Sequence, residues 1–222
     1  IMVINLSNYD PSDFVDIVES TAPFYFKKIT KEDIHRTESY KNIAILNTKV
    51  KETSNIEKFL KDLRPQISIN KVNNESSERS SQLIGKTNQF KFNSKIYSPK
   101  QLLTNEILSS SVTFKDKFHN YGIIGVFVLN ISKNKSIIIE NWVLSCRVFS
   151  RRIENYILDY IIKKTKDLRF NNIKFKFEIT KKNVYLQNFI ESIGLKLKKS
   201  GNYSINIKKI KNNKKNYMAA FN

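Results

Sequence analysis

The segment at positions 136–154, SIIIENWVLSCRVFSRRIE, restricts the fold more than any other part of this chain. Its first half, 137–144, is apolar and rich in β-branched residues, which indicates a buried strand. From Ser150 onward the apolar residues recur at helical spacing, which indicates an amphipathic helix. The segment therefore predicts a strand that leads into a helix through a basic turn.

The basic turn is a candidate phosphate site. A helix N-terminus presents free backbone N–H groups and the positive end of the helix dipole, and Arg147, Arg151 and Arg152 add positive charge to it. An ordinary strand–helix junction with solvated arginines is the alternative. The segment alone leaves both interpretations open.

The order of the patterns from Gln66 onward predicts a mixed α/β domain. They indicate a strand, two helices, three strands, a helix, a strand, a helix, and a last strand or hairpin, which is also the order of the GNAT acetyltransferase fold. The expected ranges are 67–72, 75–85, 99–108, 110–114, 122–131, 136–146, 150–166, 173–179, 182–192 and 195–207.

The first part of the chain predicts helices with narrow apolar faces and many charges. Asp10 and Pro11 open the first helix as its cap and its first residue. Longer patterns at 30–52 and 54–63 indicate two more helices, the last of which stops before Pro65. We expect these helices to form an extension that packs against another domain.

The net charge of +19 raises the question of a nucleic-acid partner. The lysines are spread over the whole chain, and no zinc-ligand pattern or aromatic RNA-binding signature accompanies them. Lys, Asn and Ile are abundant together, as AT-rich coding DNA produces. We therefore expect neither nucleic-acid binding nor a metal site. Solvated surface lysines are the simpler interpretation, and steering of an acidic protein partner is the functional one.

The single cysteine excludes an internal disulfide and fits a cytoplasmic protein. No apolar run reaches the length of a membrane span and no signal peptide is visible, so we expect no membrane association. The chain begins with Ile1, which leads us to expect a fragment of a longer product.

The chain resembles the FkbH-like family in motifs that follow the order and spacing of that family. These are ITKEDIHRTESYKN upstream, KTNQF at 86–90, DKFHNYGIIGV at 116–126, WVLSCRVFSRRIE at 142–154 and TKKNVYLQNFIESIGL at 180–195. FkbH-like proteins join a HAD-type phosphatase domain to a GNAT-like domain. They dephosphorylate a phosphorylated triose acid and load the glyceryl unit onto an acyl carrier protein, often in polyketide biosynthesis.

The resemblance implies a division of the chain into three parts. The HAD nucleophile motif D-x-D-x-T does not occur in the sequence, so residues 1–64 would be a helical C-terminal remnant of a HAD-like domain. Residues 66–210 would be the GNAT-like acyltransferase domain, with a mixed central sheet flanked by helices. Residues 211–222 form a polar tail.

The resemblance also assigns a cofactor site, either for the phosphopantetheine of a carrier protein or for coenzyme A. The usual phosphate turn of the GNAT fold is R/Q-x-x-G-x-G/A, and here Ser150 and Arg152 replace both glycines. A single phosphopantetheine phosphate is therefore easier to accommodate than a full pyrophosphate, and a turn that binds nothing is the alternative. The alternative role for Asn183 is to cap or order the 182–192 helix. The candidate cofactor-binding residues are Arg147, Phe149, Ser150, Arg151, Arg152 and Asn183.

Candidate substrate-binding residues lie in two other motifs. Thr87, Asn88 and Gln89 follow a predicted helix, and Asp116 lies in a predicted turn with His119. Local capping is the alternative for the amides, and His119 is interpreted as an exposed turn residue.

The chain lacks the acid residue that many GNAT enzymes use for catalysis. Many GNAT enzymes place an acid tyrosine four residues before the glycine corresponding to Gly194, where this chain has Ile190, which donates no proton. That weakens an amine acetyltransferase, and Tyr185 is a substitute donor whose simpler role is packing. Cys146 is the candidate nucleophile, since its basic surroundings favour a thiolate. The alternative is a small buried hydrophobe on a strand.

The preferred hypothesis is therefore acyl transfer to a carrier-protein thiol by an FkbH-like enzyme. A non-catalytic carrier-docking module and a coenzyme A-dependent N-acetyltransferase are the alternatives. The expected partners are an acyl carrier protein and an upstream HAD-like domain.

Overall fold

The computed structural model describes residues 5–7, 9–20, 63–117, 119–197 and 199–210. The chain divides into two compact units, Ile1–Thr37 and Glu38–Asn222. In the first unit Asp10 caps a 3₁₀ turn, Pro11–Asp13, by accepting a hydrogen bond from the Ser12 N–H at 2.9 Å. This turn continues as helix α1, Phe14–Ser20, so the predicted helix start is confirmed.

Several sequence predictions lie outside the described residues. They are the helix at 30–52, nearly all of the helix at 54–63, and the tail at 211–222. The domain boundary at about residue 64, and with it the HAD-like origin of residues 1–64, stays a prediction.

The second unit contains a six-stranded sheet whose strands lie side by side in chain order. Only β4 and β5 are parallel, and every other neighbouring pair is antiparallel. The strands are β1 (Gln66–Lys71), β2 (Leu108–Lys115), β3 (Asn120–Ser132), β4 (Ser136–Leu144), β5 (Asn172–Phe177) and β6 (Gly201–Asn206). This order and these directions confirm the predicted mixed α/β class and give a GNAT-like arrangement.

The helices of this unit are α2 (Asn74–Lys86), α3 (Pro99–Leu102), α4 (Ile153–Asp167) and α5 (Val184–Ser192). α4 is amphipathic as predicted, and Ile153, Ile157 and Ile161 on its inner face are fully buried. The helix predicted at 99–108 is wrong in length, because β2 already begins at Leu108. None of the described helices is long and apolar enough to cross a membrane.

The core has two layers, one on each face of the sheet. Side chains of a strand alternate between faces, so Phe127 and Leu129 of β3 join the cluster that contains α4 and α5, while Val126 and Val128 join the cluster that contains α2. The α4–α5 cluster is the larger one and contains Trp142. The sheet is therefore covered on both faces, which explains the nearly continuous burial of β4.

β4 and β5 separate halfway along their length, and the chain itself fills the opening. Their parallel pairing runs from Ser136 and Asn172 to Ile139 and Phe175 and then stops. Beyond that point the segment 90–95 lies between the two strands. We call this opening the wedge.

Asn93 closes the narrow end of the wedge. Its side-chain Nδ2 donates to the backbone carbonyl of Glu140 on β4 at 2.8 Å and to that of Lys176 on β5 at 3.3 Å. These carbonyls are the first ones that the separated strands leave unpaired. A buried carbonyl needs a partner, and here one amide serves both.

Phe92 and Phe90 fill the wider part of the wedge. The Phe92 N–H donates to the Trp142 carbonyl at 3.1 Å, and the Phe92 carbonyl accepts from the Glu178 N–H at 2.8 Å. The Phe90 carbonyl accepts from the Leu144 N–H at 3.1 Å. Both rings are fully buried, and Phe92 stacks on Trp142 with ring centroids 5.5 Å apart. The segment is thus a strand-like insert held by backbone bonds and by aromatic packing.

Replacing Asn93 with alanine should weaken the sheet at the wedge. The Glu140 and Lys176 carbonyls would lose the side-chain donor that they share, and each buried unsatisfied group costs about 1–3 kcal/mol. Because two carbonyls lose their donor, we expect the free energy of unfolding in urea to fall by about 2–6 kcal/mol. Asn202→Ala, at an exposed position on β6, is the matched control; an equal loss in both variants would mean that the bridge contributes nothing.

Candidate functional site

The turn at 145–152 connects β4 to α4 and keeps an unusual backbone. Ser145 caps a short 3₁₀ helix, Cys146–Val148, and after it both Ser150 and Arg152 adopt left-handed conformations, with φ of 65° and 59°. These are the two positions at which the phosphate-turn pattern has glycine. Left-handed backbone costs a non-glycine residue about 1–2 kcal/mol. The turn therefore keeps a backbone conformation that favours glycine, at a conformational cost at both positions.

Tyr185 of α5 holds the strained part of the turn in place. Its ring stacks on Phe149 with centroids 3.9 Å apart and planes 6° from parallel. Its hydroxyl accepts a hydrogen bond from the Ser150 N–H at 3.4 Å and donates to Glu154 Oε1 at 2.9 Å. Tyr185 therefore ties the turn, the start of α4 and α5 together, and its packing role is a large one.

Glu154 is a buried carboxyl group in the first turn of α4. Its side chain is hydrogen-bonded to Tyr185, and its second oxygen, Oε2, is buried without a hydrogen-bond partner among the described residues. Burial raises the pKa of Glu154, against the lowering effects of its own backbone N–H, the Tyr185 hydroxyl and the Arg152 charge. Burial also raises the pKa of Tyr185. Sequence reasoning named Tyr185 but missed Glu154, because nothing in the sequence distinguishes a buried helical glutamate from an exposed one.

The arginines expected to grip a phosphate point into the protein. Arg147 and Arg151 are each 5% exposed. Arg151 donates from Nη1 to the Arg147 carbonyl at 2.9 Å and from Nη2 to the Tyr121 hydroxyl at 3.0 Å. Arg147 Nε donates to Ser145 Oγ at 3.2 Å. Their role in phosphate binding stays a prediction, and their internal bonds argue against it.

Asp116 belongs to the same internal cluster. Its Oδ2 lies 3.8 Å from Arg151 Nε, in an ion pair whose two side chains are almost fully buried. Its Oδ1 accepts from the His119 N–H at 3.0 Å, and the His119 ring lies edge-on against Tyr121. The predicted contact of Asp116 with substrate stays a prediction, and the geometry gives this carboxylate a structural role.

Cys146, in contrast, is exposed at the first position of the 3₁₀ helix. The strand predicted to reach residue 146 ends at Leu144, so the interpretation of Cys146 as a buried strand residue is wrong. Exposure is what a nucleophile requires. Its catalytic role stays a prediction.

The predicted substrate-binding amides lie between α2 and the wedge segment. Lys91 pairs antiparallel with Val143, between the bonds that join residues 90 and 92 to residues 144 and 142. The last of these bonds joins Phe90 to Leu144, so Asn88 and Cys146 each lie two residues beyond the end of the pairing. Asn88 and Gln89 are exposed, whereas Thr87 is buried as the C-cap of α2.

Asn183 has a clear structural function. It is 2% exposed, and its Nδ2 donates to the carbonyls of Lys91 at 3.2 Å and Glu178 at 2.7 Å. Its Oδ1 accepts from the Thr180 N–H at 2.9 Å. Asn183 therefore fastens the wedge segment to the start of α5, in line with its alternative role of ordering that helix. Ile190 is buried in the core.

The wedge does not fit a pantetheine arm. Such an arm is a chain of amides, and an extended chain of amides binds by adding to free strand edges. The β4 groups that face the wedge, the Trp142 carbonyl and the Leu144 N–H, already bond to Phe92 and Phe90. No cluster of three or more metal-binding side chains occurs within the described ranges either.

Comparison with known proteins finds solved structures that are similar to this chain but no matching family. No protein-family model and no curated protein sequence matches the chain. Among solved structures, it is similar to the ribosomal-protein-S18-alanine N-acetyltransferase from Escherichia coli, with 9% identity and a TM-score of 0.48 over 64% of this chain and 94% of that one. It is also similar to the PaiA N-acetyltransferase from Thermoplasma acidophilum in complex with coenzyme A, with 17% identity and a TM-score of 0.47 over 64% and 99%. A GNAT-family acetyltransferase from Staphylococcus aureus Mu50 gives 17% and 0.46 over 64% and 99%. At these values the similarity says nothing about the activity of this chain.

Glycine at position 150 should stabilise the protein. Ser150 is exposed at φ 65°, and Ser150→Gly keeps the N–H bonded to Tyr185 while removing a penalty of about 1 kcal/mol. We expect a higher midpoint of urea unfolding. Ser110→Gly in β2 changes a strand position outside the left-handed region. It should lower the free energy of unfolding by about 0.5–1 kcal/mol. A loss of stability at both positions would mean that the turn at 150 is not strained.

The stability contributed by Glu154 should depend on pH. Because burial raises its pKa above 4.5, the protonated form stabilises the fold fully below that value, and this contribution is lost as pH rises through the folded-state pKa. Glu154→Gln cannot ionise. Its stability relative to wild type should therefore increase between pH 4.5 and neutral pH in urea titrations. Glu191→Gln, at an exposed site, controls for the loss of one negative charge, and a trend shared by both variants would contradict the assignment to burial.

Proposed function

We propose that this chain is a GNAT-type acyltransferase module that transfers an acyl group to the phosphopantetheine thiol of an acyl carrier protein, with Cys146 as the nucleophile. The observation that carries the proposal is the position of Cys146. The only cysteine of the chain is exposed on a strained turn at the end of β4. Strained backbone clusters at functional sites, and here the same turn presents the thiol.

The chemistry needs two acyl exchanges at one sulfur. The Cys146 thiolate attacks the carbonyl carbon of an activated acyl donor, a thioester or an acyl phosphate, and the donor's thiolate or phosphate leaves with the bonding electrons. The carrier thiolate then attacks the Cys146 thioester and releases the Cys146 thiolate. The proton of the carrier thiol passes to solvent, so both steps balance without a further reactant.

The nature of the acyl group and of the partners follows from the resemblance described above. The FkbH-like motifs support a glyceryl-type acyl unit and an upstream HAD-like domain as its source. The excess of positive charge supports an acidic carrier, whose approach it would accelerate.

Two observations favour a second candidate, a docking module without catalysis. The wedge segment occupies the strand edges of β4, and Arg147 and Arg151 are used inside the protein. A coenzyme A-dependent N-acetyltransferase is less well supported, because it needs both the open wedge and an acid where the buried Ile190 lies. Acylation of Cys146 separates the first two candidates.

Mass spectrometry should detect an acyl adduct on Cys146. We expect the full protein, incubated with an acyl thioester donor, to gain one acyl group on the peptide that contains Cys146 and to pass it to a holo-carrier but not to an apo-carrier. Cys146→Ser should lose loading by at least about 100-fold, because an alcohol is a far weaker nucleophile. Its thermal midpoint should stay unchanged, because the side chain is exposed.

A relocated thiol provides the control. Cys146→Ser combined with Asn134→Cys places an equally exposed thiol in the turn between β3 and β4, at the other end of β4. That variant should react with iodoacetamide yet load no carrier. If Cys146→Ser loads the carrier normally, or if the relocated thiol loads it as well as wild type, the proposed function is wrong and the docking module is the better interpretation.

A further inference from the structure

We propose that a lysine-lined pocket beside the wedge binds the phosphate group of the phosphopantetheine arm, and that the arm reaches Cys146 along the outer side of the wedge segment. This inference rests on the proposed function and gives its acceptor a binding site. It replaces the arginine turn as the phosphate site.

The pocket has a volume of about 380 Å³ and opens between the wedge segment and the loop that precedes α5. One wall belongs to the wedge segment and the other to the loop. It is lined by Asn88, Lys91, Asn93, Ser94, Glu178, Thr180, Lys181, Lys182 and Asn183.

The charges of the pocket suit an anion. Three lysines face one carboxylate, Glu178, and both oxygens of that carboxylate are already bonded, Oε2 to the Ser94 N–H at 2.8 Å and Oε1 to Ser94 Oγ at 3.2 Å. Lys91 Nζ donates to the Ile84 carbonyl at 2.8 Å and is fixed there. Lys181 and Lys182 are exposed, and their ammonium groups form no ion pair within the ranges that the structure describes. Phosphate is the anion that such mobile point charges commonly bind.

A neighbouring pocket is a poorer match. It has a volume of about 480 Å³ and shares Asn93, Ser94 and Glu178 with the first. Among its charged residues, Lys176 and Glu140 form an ion pair at 3.0 Å, which leaves Lys95 and Glu178 as one further positive and one further negative charge. Its charges are therefore balanced internally and leave little attraction for an anion.

The route from the lysines to the thiol starts at the end of the pairing between the wedge segment and β4. Asn88 lines the pocket, and it lies two residues beyond Phe90, whose carbonyl bonds the Leu144 N–H, just as Cys146 lies two residues beyond Leu144. A ligand whose phosphate sits at Lys181 and Lys182 can therefore extend past Asn88 toward Cys146. The exposed amide of Asn88 is suited to bond the amides of the arm.

Binding of small probes tests the site without any acyl transfer. Calorimetric titration of the full chain with 4′-phosphopantetheine and with pantetheine, which lacks the phosphate, should show at least about tenfold tighter binding of the phosphorylated probe. The double variant Lys181→Ala/Lys182→Ala should abolish that difference. The double variant Lys208→Ala/Lys209→Ala removes the same charge from exposed lysines beyond the end of β6 and should keep it.

Three results would overturn the site. They are equal binding of both probes by wild type, an undiminished preference in Lys181→Ala/Lys182→Ala, and an equal loss in the Lys208/Lys209 control. Displacement of 4′-phosphopantetheine by inorganic phosphate at a similar concentration would mean that the pocket holds any phosphate and does not recognise the arm. A wild-type protein that shows the predicted binding while Cys146 takes up no acyl group would disprove the proposed function and leave the site intact.

Discussion

The two hydrogen bonds of the Asn93 amide set the geometry on which the site depends. They join the first unpaired carbonyl of β4 to that of β5, and from there the strands separate around Phe92 and Phe90. Without an insert, the separated strands would present unpaired backbone groups to a ligand or to water. The chain uses its own residues there, and this choice determines where a ligand can and cannot bind.

With the wedge filled by residues 90–95, the turn after β4 carries the exposed Cys146. The turn after β4 keeps left-handed backbone at Ser150 and Arg152, and Tyr185 and Glu154 hold it from the side of α5 and α4. The same turn exposes Cys146 and buries Arg147. The turn thus has left-handed backbone at the two glycine positions of the phosphate-turn pattern and presents the Cys146 side chain to solvent.

Much of the fold was predictable from local pattern. The strand at 136–144 and the helix that follows it appear where their apolar periodicities place them, because a buried strand and an amphipathic helix each leave a period in the sequence. The helix at 99–108 was predicted too long, since the helix ends at Leu102 and the last apolar residue of its pattern, Leu108, already belongs to β2. The alternation of Phe90 and Phe92 around Lys91 was a strand signal as well, but a single strand-like insert without a turn signal is easily taken for a loop.

At the candidate site, the sequence determined which residues are present, and the tertiary structure determined the orientation of their side chains. The sequence by itself determined which residues are near one another along the chain: one cysteine, a basic turn without its glycines, and an isoleucine in place of an acid. It did not determine which way those side chains point. Arg147 and Arg151 turn inward because Ser145, Tyr121 and Asp116 offer them partners, and Tyr121 and Asp116 reach Arg151 only through the sheet. Only the tertiary structure decided that residues 90–95 fill the wedge between β4 and β5, because backbone hydrogen bonds between distant segments leave no trace in local pattern.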